Sequence, residues 1–232
     1  MRNECGDETV SPAMTDQVFD LTILGLGLRS GSNVDRKTMA LTADEILFHP
    51  AFEPCIRGQA QSLLSMQEAA PRIASVFATQ QRWLMAHAAL AQYFRSEARD
   101  TGAGLLAERF LEIVERHEIA SRNTAAAFVK EMLHYDIVRM VANSAGRRYR
   151  PLEPAPAILT ALFGWHALHL ATLDRVDGGA RAAHFNAHPA LLHAIQPLIA
   201  DGLIGSKEVR APEGTSSLFT WVTSAMSLLP PP

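Results

Sequence analysis

Cysteine is almost missing from this chain of 232 residues: only Cys5 and Cys55 are present, far apart and in no metal-binding or redox spacing. That excludes a disulfide scaffold and fits a reduced intracellular protein, expected in the cytoplasm. Aromatic residues reach just 7% against 48% hydrophobic residues overall, so the apolar content is carried by Ala and Leu and leans toward helix. The first twenty residues lack the apolar run of a secretory signal and carry Arg2, Glu4, Asp7, Glu8, Asp16 and Asp20 instead. The most apolar stretch, Ala157 to Leu173, contains His166 and His169 and is shorter than the roughly 20 residues of a membrane span. A buried helix is expected there, and no membrane partner. Nucleophile elbows, Walker loops, His-Glu-x-x-His motifs and paired carboxylates in a cleft-forming context are all missing, which argues against an enzyme and for no cofactor.

Positive charge is also scarce overall, with a net charge of −3. Its distribution is uneven. Between Ala120 and Leu152 stand six basic residues (Arg122, Lys130, Arg139, Arg147, Arg148, Arg150) against Glu131 and Asp136, a net of +4 that leaves −7 for the rest of the chain. A surface field is set by where charge sits, so this window can attract a polyanion although the whole chain is acidic.

Residues 1–40 read as a leader. The run Gly25-Leu-Gly-Leu-Arg-Ser-Gly31 has neither the spacing nor the strand–helix context of a nucleotide loop. Residues 41–71 form a helical extension: Thr42 and Glu45 make a capping-box pattern, a helix follows from Pro54 to Ala69, and Pro71 suits the start of another. From Arg72 to Ala98 one helix is expected, with Phe77, Leu84 and Ala91 on a single stripe. After Asp100-Thr-Gly, a second amphipathic helix sets Leu105, Leu106, Phe110, Ile113 and Val114 against Glu108, Arg109, Glu112, Glu115 and Arg116. Ser121 then caps a third helix that turns Ala125, Phe128, Val129, Met132 and Leu133 inward. Ile137 to Val141 is β-rich, Asn143-Ser-Ala-Gly146 has turn chemistry, and Arg147 to Arg150 is expected to return as the second strand of a hairpin. Pro151, Pro154 and Pro156 close the unit. Residues 154–232 supply further helices, over Ala157–Val176, Pro189–Ala200 and Ser217–Leu229.

The order helix, turn, capped helix and basic hairpin predicts a mainly α fold with a winged helix-turn-helix over residues 72–153. A helix fits the major groove of duplex DNA, and its first turn reaches base edges. Ser121, Arg122, Asn123 and Thr124 occupy that turn, with Lys130 further along. Asn123 and Arg122 are the side chains suited to reading bases. Arg147, Arg148, Tyr149 and Arg150 suit the sugar–phosphate backbone or the minor groove.

On the run Ile119-Ala-Ser-Arg-Asn-Thr-Ala125, the Ile137-Val-Arg that follows and the Arg-rich hairpin, the stretch from about 76 to 175 resembles the winged-helix transcriptional regulators of the MarR type. The resemblance implies a homodimer paired through its flanking helices, with one recognition helix on each half-site of double-stranded DNA. Between the flanking helices and the reading head there is room for a small-molecule effector, with Trp83, His87, Trp165 and His166 as candidate lining residues, although packing in the core is the favoured reading for these four. The alternative is a winged helix that contacts protein and not DNA. His184 and His188, four apart with His193 nearby, have a spacing that can hold zinc on a helix. No cysteine or carboxylate completes a site, and no metal is expected. Asp174 and Asp177, near a helix end, read as solvated caps.

Overall fold

The computed structural model describes residues 42–69, 71–99, 104–141 and 150–210. The fold is mainly helical, with one small antiparallel sheet. Helix α1 (Ala43–Leu47) starts from the capping box read in the sequence, the Thr42 amide donating to Glu45 Oε2 at 2.7 Å and the Glu45 amide to Thr42 Oγ1 at 3.3 Å. Helix α2 (Phe52–Ala69) and helix α3 (Pro71–Val76) follow, Pro71 standing first in its helix.

The single helix expected over Arg72–Ala98 is in fact two. Helix α4 (Gln80–Ala98) begins anew because Thr79 is extended and its hydroxyl accepts from the Arg82 amide at 3.3 Å, a local cap that competes with continuing the helix. Leu105 and Leu106, expected inside the next helix, precede it. Leu105 instead pairs with Leu152 through two backbone bonds of 2.7 and 2.8 Å. Gly104 permits this approach: its φ is +53°, and a Cβ there would lie 2.7 Å from the Leu152 carbonyl oxygen.

Helix α5 (Ala107–Arg116) and helix α6 (Arg122–His134) pack together and lead into β1 (Val138–Met140). Of the second strand expected at Arg147–Arg150, only Arg150 is among the described residues, and it lies outside the strand that pairs with β1. That strand is β2 (Leu152–Pro154), with Val138 opposite Pro154, Arg139 opposite Glu153 and Met140 opposite Leu152. Leu152 is the reason for this register: paired to Leu105 on one side and Met140 on the other, it is buried, whereas Arg150 is exposed. Pro154 therefore lies inside the sheet without breaking the ladder, because the bond to β1 at this end comes from the Ala155 amide to Ile137 O at 2.9 Å.

Helix α7 (Pro156–Asp177) ends at Gly178, whose φ of 74° is the left-handed C-cap that glycine favours. At 22 residues it is long and apolar enough to cross a membrane by length and composition, so the length argument made from the sequence does not hold. Within the fold, its His166 and Leu168 are buried and it packs against α2 and α8 (Arg181–Ala187). Helix α9 (Leu191–Gly205) packs along α4, and α10 (Lys207–Arg210) follows it. The expected helix over Ser217–Leu229, the leader over 1–40 and the turn at Asn143–Gly146 lie outside the described residues.

Two apolar cores result. One gathers Leu84, Met85, Phe110, Val114, Ala125, Phe128, Met132 and Leu152 around α4, α5, α6 and the sheet. The other gathers Phe94, Leu162, Ala167, Phe185 and Leu192 between α4, α7, α8 and α9.

Candidate nucleic-acid interface

The first core fixes α6 on one side only. Ala125, Phe128 and Met132 are buried, and Phe128 lies against Phe77 and Phe110 with ring centroids 6.4 and 6.1 Å away. Arg82 pins the far end, its guanidinium 2.6 Å from Glu131 and 5.5 Å from the Phe128 ring centre. The opposite side then faces solvent as a stripe at helical spacing: Asn123, Ala127, Lys130 and His134 are all exposed. The sequence reading named Asn123 and Lys130. It missed Ala127 and His134, which the same four-and-three spacing could have found.

The start of α6 is formed as expected. Ser121 is extended and its hydroxyl accepts from the Thr124 amide at 3.2 Å, with the Thr124 hydroxyl 2.9 Å away. The preceding turn places Glu118 at φ +50°, a strained value for a residue with a side chain. Backbone contacts hold it: the Ile119 amide donates to Val114 O at 3.0 Å, and Arg210 reaches the Glu118 carbonyl at 3.1 Å.

Arg122 is exposed but not free. Its guanidinium lies 2.5 Å from Glu108 and 3.6 Å from Glu115, both on α5. The first turn of α6 therefore presents Asn123 unencumbered beside an arginine already neutralised by the neighbouring helix. Arg139 on β1 and Arg150 just before β2 are exposed as well. Arg147, Arg148 and Tyr149 lie outside the described residues.

Trp83, His87, Trp165 and His166 are brought together, the two histidines buried and the two tryptophans half-buried. Trp83 lies 4.3 Å from His87 and 6.1 Å from Trp165, ring centre to ring centre, and His166 is 5.0 Å from Trp165. Burial pushes the His87 imidazole down to about 3 and those of His166 and His169 down to about 4. Gln196 Nε2 meets His87 Nδ1 at 3.0 Å, and Gln59 Nε2 meets His169 Nδ1 at 2.7 Å. An amide nitrogen only donates, so both imidazoles accept and are neutral. Both ring nitrogens of His166 are buried without a hydrogen-bond partner. The Leu162 backbone and then Gln196 lie close enough to oppose the downward shift of His166, but not in bonding geometry.

His184 and His188 have ring centres 4.4 Å apart at the end of α8, and His188 Nδ1 is 2.9 Å from the His184 carbonyl. His193 packs on Phe94 instead of joining them. Among the described residues no group of three or more His, Cys, Asp or Glu could hold a metal ion. Asp174 and Asp177 are not solvated caps: their side chains are 13% and 9% exposed and both grip Arg181.

No family model, curated protein or solved structure matches this chain.

Proposed function

We propose that residues 72–153 form a winged helix-turn-helix and that the protein is a sequence-specific, non-enzymatic DNA-binding regulator of the cytoplasm, acting as a homodimer. The observation that carries this reading is the stripe Asn123, Ala127, Lys130 and His134 on a capped, one-sidedly buried helix. Such a face can enter a major groove without disturbing the core behind it. Asn suits an adenine edge, Ala a thymine methyl and Lys a phosphate or guanine. The order α4, Leu105, α5, α6, β1, β2, with Leu105 completing a minimal three-strand ladder, supports the winged-helix reading.

The test is anisotropy titration of the full chain with duplexes selected from genomic fragments, at several salt concentrations. Lys130→Ala is expected to weaken binding to all sequences and lower the salt slope by about 1, while Asn123→Ala lowers the preference between sequences by about 1–3 kcal/mol. No binding to any duplex at low salt overturns the reading. One observation favours the winged-helix protein-interaction alternative: Glu108 and Glu115 neutralise Arg122 at the site where phosphate would be met. That alternative requires a partner that stays bound after nuclease treatment.

A further inference from the structure

We propose that His184 and His188, at the end of α8, chelate a divalent transition-metal ion of the nickel(II) or copper(II) kind. The two imidazoles stand four apart in the chain with ring centres 4.4 Å from each other, and both are exposed. One ring nitrogen from each can then meet a single ion, whose bonds to imidazole are about 2 Å long. The His188 ring is already set as a ligand. Its Nδ1 lies 2.9 Å from the His184 carbonyl oxygen. A carbonyl only accepts, so Nδ1 carries the proton and Nε2 keeps the lone pair that a metal needs. Donation of the other ring N–H to a backbone carbonyl is the arrangement that orients metal-ligating histidines.

The pair stands on a fixed scaffold. A helix of seven residues does not hold itself in water, and α8 is anchored twice. At its start Arg181 lies 2.5 Å from Asp177, and the Arg181 and Ala182 amides donate to Asp174 at 3.0 and 2.8 Å. In its middle Phe185 is 1% exposed and stacks on Phe163, ring centres 4.5 Å apart. On the outer side Ala183 and Ala187 are exposed and carry only methyl groups, so neither crowds the approach to the imidazoles. The donor set selects the ion. His193 packs on Phe94, and among the described residues no group of three or more ligands forms, so a closed four-ligand zinc site is not built here. Calcium and magnesium take oxygen donors. Nickel(II) and copper(II) stand high in the divalent series, suit imidazole and accept a tetragonal sphere, here completed by water.

Calorimetric titration of the untagged full chain with nickel chloride, without DNA, tests the site separately from the DNA-binding reading. Nickel is the probe because, unlike copper(II), it does not oxidise thiols such as those of Cys5 and Cys55. One nickel ion per chain is expected, with manganese(II) at least about tenfold weaker. The melting temperature is expected to rise with nickel, because the unfolded chain does not hold the two rings together. His184→Ala and His188→Ala each leave one imidazole and are expected to bind at least about tenfold more weakly. The double variant Ala183→His, His184→Ala keeps the number of histidines but sets the pair five apart, off a common helix face, and is expected to bind as weakly as the single variants. His193→Ala keeps the parent's affinity. Absence of saturable nickel binding overturns the proposal, as do full affinity in His184→Ala or in the displaced pair, and one ion per two chains.

Discussion

The two places where α4 is buried are built from different materials. Around α5 and α6 the centre of the contact is apolar: Phe110 and Val114 are 0% exposed, and Ala125, Phe128 and Met132 close over them, with the Arg82–Glu131 pair and Gln92 at its borders. On the side of α7 and α9, its Trp83 and His87 meet Trp165, His166 and Gln196, and the polar seam continues through His169 to Gln59 on α2. The first region is centred on a close-packed apolar cluster that buries the inward face of α6. The second contains unsatisfied polar atoms, among them both His166 nitrogens and Gln196 Oε1, so it gives up stability for groups that respond to protons. The two sides of α4 therefore differ in that only the second buries imidazoles, His87 and His166.

The largest expected effect breaks the apolar side. Phe110→Ala removes a ring that is 0% exposed and is expected to cost about 3–5 kcal/mol, read as a lowered denaturant midpoint. A loss under about 1 kcal/mol would show that this side does not depend on that packing.

The titratable side follows next. The three rings are neutral in the fold, with values of about 3 to 4, whereas an unfolded histidine titrates near 6.5. On acidification the unfolded chain takes up protons first. Stability is thus fully present above about pH 6.5 and falls as the pH drops toward 4, by up to about 1.4 kcal/mol per pH unit for each ring. Melting temperature measured from pH 7.5 to 5 should show the decline. His166→Leu, which removes two unpartnered nitrogens, is expected to match the parent at pH 7.5 and to exceed it at pH 5. Parallel curves for parent and variant would mean that His166 is not part of the seam's response.

A smaller effect tests the α7–α8 joint. Arg181 lies 3.1 Å from Asp174 and 2.5 Å from Asp177, and Asp174 also accepts from the amides of Arg181 and Ala182 at 3.0 and 2.8 Å. The hydrogen bond from Arg181 holds the Asp177 carboxyl below its usual value. Because Arg181 is itself 35% exposed and partly screened, Arg181→Ala is expected to cost only about 1–2 kcal/mol by thermal denaturation. The part due to Asp177 persists above the ordinary carboxylate value and is lost as pH falls below it, under the range in which the histidines act.

What the sequence made legible was local. The Thr42 box, the Ser121 cap and the inward face of α6 each depend on residues within a turn or two. Pairings across the chain were not visible. Leu105 meets Leu152 only after folding, so the second strand was expected among the arginines and not at Leu152–Pro154. The capture of Arg122 by Glu108 and the buried Gln92 oxygen left without a partner depend on how α4 and α5 dock. Helix α8 has seven residues, too few for periodicity to reveal. Sequence order identified Asn123 and Lys130 as exposed polar positions, while Arg122 needed its tertiary neighbours to be understood.

The smallest stability effect separates two roles that the sequence merged at Ser121. Its hydroxyl already accepts from the Thr124 amide, so the residue is a cap before it is a contact. Ser121→Ala is expected to cost about 1 kcal/mol. Ser121→Asp should leave stability within about 0.5 kcal/mol of the parent, because aspartate also caps and its charge suits a helix N-terminus. The same charge would repel phosphate. If this end of α6 faces DNA, Ser121→Asp folds like the parent yet binds duplex at least about tenfold more weakly, with the deficit shrinking as salt is raised. Unchanged affinity in a stably folded Ser121→Asp variant would turn this helix end away from the phosphates and make the cap its sole function.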